Sequence, residues 1–355
     1  MLIDLRMVRG PLHGIARYAL ELCRHLPRLE PGWHFLGLTG PDGLPDDLGD
    51  LAPRLPLVRC SAEFLSPFEQ PALAASLMSQ RPDLFHATSF SLPALWSGPL
   101  VATIHDANHL ALPESASATH KAYYRFVVAP RAKKARALIT VSNFSRAEIA
   151  KHLGLTPERL QIIANGVDPT FHVPAASELE DFRMRRGLPP KYFAAIGSTK
   201  PHKNLKVLGS IADALPAKLV LLAGRGARRA LGFSDEVLEL APLPDEDLVR
   251  FYAGAQGVLF PSRYEGFGFP ALEAMACGAP VVASNAGALP DVVGGAGILV
   301  AHDDPKAWRS ACQRLFRDDA LRRELGELGR ERAQRYSWPD CAQQTLQVYR
   351  RALGV

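Results

Sequence analysis

Short apolar runs alternate with longer helix-periodic stretches along nearly the whole chain, and the series occurs twice. After an opening strand the first half carries HFLGLTG, LPLVRC, DLFHATS, LVATIHD and ALITVS; the second carries YFAAIGS, KLVLLAG, GVLFPS, PVVASN and GILVA. Runs this short that are apolar on both faces read as strands covered from two sides. Stretches such as IARYALELCRHL and PFEQPALAASLMSQ are the covering helices. Strand–helix alternation predicts an α/β architecture built on parallel sheets. At 355 residues the chain suits two such domains. The stretch from about Asp168 to Pro190 holds Pro169, Pro174, Gly187, Pro189 and Pro190 and reads as a linker. The expected division is 1–172, 173–337, and a last helix over 338–355 after a Ser-Trp-Pro break. That helix is free to pack back on either half, the N-terminal domain being the assignment taken. Two α/β halves in tandem leave a cleft, the natural place for a ligand.

Composition narrows the partners. The net charge of +5 is mildly basic, which suits an anionic ligand or lipid surface and falls short of a nucleic-acid signature. No apolar run approaches the ~18–20 residues of a membrane span. The opening MLIDLRMVRGPLHG has no signal-peptide core, so a cytoplasmic protein is expected. Five scattered cysteines with no CxxC spacing point to reduced thiols rather than a disulfide or zinc framework.

The most informative segment is FPSRYEGFGFPALEAMACGAPVVAS. The strand GVLF runs into a loop with Gly266, Phe267 and Gly268; Phe269 and Pro270 open a helix that ends before Gly278. Glycines let the backbone approach a ligand closely, and the helix start offers free N–H groups and partial positive charge. Two carboxylates frame this turn, Glu265 in the loop and Glu273 beyond the first helical turn, with seven residues between them. In GSTKPHKNL, Lys203 follows the strand YFAAI and a Gly-Ser turn at Ser198, where an ammonium can neutralise phosphate. In TIHDANHL, His105 stands at a strand end and can hydrogen-bond a sugar hydroxyl, with Asp106 beside it. In RGPLHGIARY, Gly10, His13 and Gly14 precede a helix.

Read together, these segments resemble the retaining glycosyltransferases of family 4, which have the GT-B fold: two Rossmann-like domains with parallel sheets facing a central cleft. The string Glu-Gly-Phe-Gly-Phe-Pro-x-Leu-Glu-Ala-Met-Ala is similar to that family's Glu-x7-Glu signature. The early glycine turn, TIHD, ITVSNFSR, IIANGVD, GSTKPHKNL and YSWPDCAQQTLQVY extend the likeness over nearly the full length. The resemblance implies transfer of a sugar from a nucleotide diphosphate to a hydroxyl. By it, Glu265, His105 and Lys203 are catalytic, Glu265 holding sugar hydroxyls and Lys203 the diphosphate. Gly14, Ser198, Leu243 (near the base), Gly266, Phe267, Gly268, Phe269 and Glu273 (on the ribose) join the donor site. His13 and Asp106 lie toward the acceptor. Relatives often carry Arg just after the first glycine of GSTKPHKNL; Ser198 and Thr199 stand there in this chain, which leaves Lys203 with more of the charge. No metal or other cofactor is expected. The likeness to bacterial lipopolysaccharide and exopolysaccharide transferases favours GDP-mannose as donor and a glycan or lipid-linked saccharide as acceptor, with UDP-hexoses the alternative.

Other readings stay open. A nucleotide-sugar epimerase or hydrolase would process donor with no acceptor, and a non-catalytic partner subunit would keep only the fold. A nicotinamide enzyme is disfavoured, because LLAGRGARRA has Arg229 where a dinucleotide fingerprint needs its third glycine. Asp245-Glu-Asp247 has the look of a metal triplet but precedes DLVRFYAGA and reads as acidic charge at a helix start. Finally, the segment from Ser115 to Ala147 has no acid. Its 121–136 stretch combines Lys121, Arg125, Arg131, Lys133, Lys134 and Arg136 with Tyr123, Tyr124 and Phe126. It reads as a solvated helix kinked at Pro130 or as a peripheral contact with the anionic inner face of the cytoplasmic membrane.

Overall fold

The computed structural model describes residues 1–10, 13–45, 48, 55–112, 114 and 117–355. The chain forms two compact units, Met1–Gly166 with Trp338–Val355, and Val167–Ser337.

In the N-terminal unit the apolar runs become β1 (Leu2–Asp4), β2 (Leu36–Thr39), β3 (Leu57–Arg59), β4 (Phe85–Ala87), β5 (Leu100–Thr103), β6 (Ala137–Thr140) and β7 (Leu160–Ile162). They pair in parallel in the order β3-β2-β1-β4-β5-β6-β7. Residues such as Leu2, Phe85, Leu100, Ala102 and Leu138 are buried in one core with Leu73, Tyr124, Val128 and Ile149 from the covering helices. Strand order reverses between β1 and β4, and the carboxyl ends of strands at such a switch point form the crevice where α/β sheets take ligands. The last helix, Trp338–Leu353, packs on the helix Gly14–Leu29 of this unit. Its buried Tyr349 hydroxyl meets His86 Nδ1 at 2.5 Å, and its Arg350 pairs with Glu30.

The C-terminal unit repeats the plan with β8 (Tyr192–Ile196), β9 (Lys218–Leu222), β10 (Leu238–Glu239), β11 (Gly257–Phe260), β12 (Val281–Ser284) and β13 (Ile298–Val300). The order is β10-β9-β8-β11-β12-β13, again parallel, so the reversal lies between β8 and β11.

Two local expectations need correction. The proline-rich stretch 168–190 is no plain linker: it contains the helix Ala176–Arg185. Glu178 accepts from the Ala175 N–H at 2.9 Å, and Phe182 is buried, so a capped first turn and one apolar anchor outweigh the flanking prolines. The basic segment is not one helix kinked at Pro130. A short helix Ala118–Tyr123 passes into a π-helical turn Tyr124–Val128 before the helix Ala129–Lys134 resumes. Proline has no N–H to donate to the carbonyl four residues back, and the wider turn just before it accommodates that loss. Among the described residues no helix is long and apolar enough to cross a membrane.

Candidate functional site

Each unit brings a set of the expected residues to the carboxyl ends of its strands. In the C-terminal unit the loop after β8 carries Gly197 and Ser198 and leads into a 3-10 turn, Pro201–Lys203. Lys203 thus stands on a tight turn rather than at the start of a regular helix. Asn204, in the left-handed region at φ 54°, donates through Nδ2 to the carbonyls of Pro261 at 3.0 Å and His302 at 2.7 Å. Arg263 N–H donates to His202 C=O at 2.7 Å. The loops that follow β8 and β11 are therefore stitched together across the switch point. The consequence is an ion pair, Lys203 Nζ to Glu265 Oε1, at 2.7 Å with both side chains partly exposed.

Glu265 is held by its backbone as well. Its carbonyl accepts from Ala288 N–H at 2.9 Å. Gly287 sits at φ 64°, where an added Cβ would lie 2.7 Å from Glu265 N, so only glycine allows this approach. Beyond Glu265 the chain passes Gly266 and Gly268, the latter at φ 107°, and enters the helix Phe269–Ala276. Phe267 is buried, its ring edge-on to Phe269 and Tyr336. Glu273 is half-buried and accepts from the Tyr252 hydroxyl at 3.2 Å. Burial, with the Glu273 charge adding to it, raises the Tyr252 pKa well above its ordinary value, so this phenol stays a donor. Leu243 is half-buried just before the helix Asp245–Ala253. In that helix Asp247 pairs with Arg186 and Arg250, so this member of the acidic triplet serves structure.

In the N-terminal unit His13 caps the helix that begins at Gly14, Nδ1 accepting weakly from Ala16 N–H at 3.4 Å. Burial lowers the His13 pKa. His105 follows β5; its Nε2 lies 3.0 Å from Thr88 C=O, and its ring stands edge-on to Tyr18 at 4.9 Å between centroids. The residue is half-buried, and burial pulls its pKa to about 4, with His13 adding repulsion. It is neutral at physiological pH. Asp106 Oδ1 accepts from Asn108 N–H at 3.0 Å and so shapes the turn after His105.

Sequence reasoning missed four supports: Tyr252 behind Glu273, Asn204 beneath Lys203, Thr88 behind His105, and the buried Arg6, which pairs with Asp4 and Glu69 at the end of β1. Asn204 was adjacent to a residue already singled out, and its positive φ is a habit of asparagine. The other three left no local signal. A cavity of the C-terminal unit, about 930 Å³, opens at the opposite ends of its strands, beside Tyr192, Gln256 and Pro280. Three of its five arginines, Arg183, Arg250 and Arg322, are paired with Glu180, Glu178 and Asp319, and it lies away from the carboxyl ends of the strands, where the expected residues gather.

Residues 12–171 match a family model described as Glycosyltransferase Family 4, and residues 190–318 match one described as Glycosyl transferases group 1. The chain is 29% identical to an O-antigen chain mannosyltransferase B of Escherichia coli, over 97% of each protein. It is 33% identical to an MMP alpha-(1->4)-mannosyltransferase of Mycolicibacterium hassiacum, over 72% of this chain and 66% of that protein. Among solved structures, a sucrose-phosphate synthase from Thermosynechococcus elongatus superposes with TM-score 0.80 at 22% identity, covering 99% of this chain and 98% of that one. HepE of Anabaena in complex with UDP-glucose superposes with TM-score 0.75 at 20% identity, covering 98% of each. At these identities the structures bear on the fold.

Proposed function

The chain belongs to the GT-B glycosyltransferases whose halves those two family models describe, and from that premise we propose that it is a retaining hexosyltransferase of family 4. In this reading it moves mannose from GDP-mannose to a hydroxyl of a glycan or lipid-linked saccharide. The observation that carries the proposal is the Lys203–Glu265 pair beside the glycine turn at the β8/β11 switch point. Loss of a nucleoside diphosphate from an anomeric carbon builds negative charge on the leaving group and positive charge on the sugar. Lys203, the N–H groups of the 266–270 turn and the helix behind them answer the first charge. The Glu265 carboxylate answers the second. Ser198 lies beside the diphosphate and Leu243 beside the base, Glu273 takes the ribose diol, and no metal is needed. In the N-terminal unit His105 binds a sugar hydroxyl, with Gly14 near the donor and His13 and Asp106 toward the acceptor.

Retention follows from same-face attack. The anomeric C–O bond to phosphate breaks, the acceptor oxygen bonds the same carbon from that side, and its proton passes to the departing phosphate oxygen. A glycosyl adduct trapped on a carboxylate of the chain would replace this route. The resemblance to mannosyltransferases supports the choice of donor.

The test is a thermal-shift series with GDP, UDP, ADP and their sugars. GDP and GDP-mannose are expected to raise the melting temperature most, reflecting ~2.7 kcal/mol of added stability at a hundred times Kd. A larger shift with UDP compounds would transfer the proposal to a UDP-hexose, and indifference to all of them would sink it.

The acceptor side has a membrane component in this reading. On the basic segment Phe126 is 71% exposed, with Lys121, Arg125, Lys133 and Lys134 also at the surface. An apolar ring among cations suits an anionic cytoplasmic leaflet. The native chain should co-sediment with vesicles containing phosphatidylglycerol and not with phosphatidylcholine alone. Each of K133E and K134E should weaken binding ~5-fold or more, since one basic residue near such a surface is worth ~1 kcal/mol. Equal binding to both vesicle types would remove the membrane from the proposal.

A further inference from the structure

We propose that Thr88 is a positioning residue for His105. Its carbonyl holds the imidazole as the Nε2–H tautomer, so that His105 recognises its ligand only as a hydrogen-bond acceptor, at Nδ1. The ligand group it selects is then a hydroxyl and not a phosphate oxygen. This deepens the reading given above and rests on it for the sugar.

The starting point is the 3.0 Å separation between His105 Nε2 and Thr88 C=O. A carbonyl has no proton to give, so the ring nitrogen is the donor. A neutral imidazole carries a single N–H, which leaves Nδ1 with a lone pair. Hydroxyls can donate to that lone pair. Ionised phosphate oxygens have only lone pairs of their own and are repelled by it. Of the groups in a nucleotide sugar, the diphosphate is thereby excluded and the hydroxyls remain, of which the reading above puts the transferred sugar's beside His105.

A carbonyl can impose a tautomer only if it is itself fixed. Thr88 is fully buried, and its Oγ1 donates to Asp4 C=O at 2.5 Å, tying the end of β4 to the end of β1. The Asp4 carboxylate is clasped by Arg6, through Nε at 2.9 Å and a terminal nitrogen at 2.7 Å. The other terminal nitrogen of Arg6 reaches Glu69 at 2.8 Å, and Glu69 also accepts from Ser91 Oγ at 2.6 Å. Tyr18, edge-on to His105, is anchored by its hydroxyl 2.8 Å from Thr103 Oγ1. The imidazole is therefore braced on one side by a carbonyl backed by a buried ionic cluster, and on another by an aromatic ring.

The tautomer can be read without donor or acceptor, which separates failure of this inference from failure of the proposed transfer. Protein labelled with 15N-histidine, with H105Q to identify the signal, reports the protonated nitrogen through long-range 1H–15N couplings at neutral pH. Native protein and T88S should show protonated Nε2 and unprotonated Nδ1. T88V, which keeps the shape and loses the hydroxyl anchor, should show a tautomer mixture. Transfer should fall ~10-fold in T88V, the size of one hydrogen bond, and be restored in T88S. A protonated Nδ1 in the native protein, or a T88V spectrum identical to the native one, overturns the positioning role. A tautomer mixture in T88V with unchanged transfer overturns the selection of a sugar hydroxyl.

Discussion

Glu265→Ala is expected to reduce sugar transfer about a thousandfold while GDP binds as tightly as before or more tightly. The two effects part because, in the proposed transfer, Glu265 serves charge on the sugar, whereas its partner serves charge on the diphosphate. Removing a preorganised electrostatic group from a reacting centre costs roughly 10²–10³ in rate. Binding moves the other way because Lys203 Nζ is held by Glu265 at 2.7 Å and must be shared with an arriving diphosphate. Without the carboxylate the ammonium is undivided. Lys203→Ala should show the complementary pattern, weakening GDP by roughly tenfold and slowing transfer as well. Calorimetric titration with GDP alongside an assay of labelled sugar transfer measures both. Transfer at the native rate by Glu265→Ala would remove Glu265 from the mechanism.

Arg6→Met should destabilise the N-terminal unit by about 3–5 kcal/mol, a large share of the ~5–15 kcal/mol that holds a domain folded. The guanidinium is 0% exposed and is the shared partner of two carboxylates, Asp4 and Glu69. Burial by itself lowers the arginine's pKa, and the two carboxylates outweigh it, so the group stays charged. Methionine fills much of the volume and leaves both acids buried without a cation. Adding D4N and E69Q should then recover part of the loss, because neutral amides cost less to bury than unpaired carboxylates. Urea unfolding of the single and triple variants reads the difference. An Arg6→Met midpoint equal to the native one would show that the cluster contributes nothing to stability. The main-chain carbonyl of Asp4 also receives the Thr88 hydroxyl, so displacement of Asp4 by the same substitution should disturb the tautomer of His105.

The parallel sheets were legible because buried strands advertise themselves in a few consecutive residues. Runs such as KLVLL and PVVAS are apolar on both faces, and glycine and proline mark their ends. The helix at Phe269 was legible for the same reason, with a positive-φ glycine before it and another after it at Gly278. Ala176–Arg185 was hidden because its flanks carry loop residues and a single buried phenylalanine anchors it. The π-helical turn at Tyr124–Val128 has no composition of its own. Glu265, Glu273, Lys203 and His105 stand out in the sequence by their motifs. The groups that orient them do not, since a buried threonine carbonyl or a tyrosine two elements away has no local pattern.

What the order of residues determined alone was local: which stretches extend, which coil, where turns need glycine, and which family the motifs match. Backbone preference and hydrophobic periodicity act over a few residues and can be read there. The tertiary structure decided the rest. Lys203 meets Glu265 across 62 positions because parallel strands β8 and β11 lie side by side. Thr88 reaches Asp4 across 84 because β4 pairs with β1. The last helix packs in the first unit, where its Tyr349 meets buried His86. Such pairings depend on which apolar faces bury one another, a property of the whole packed chain that no short window of sequence contains.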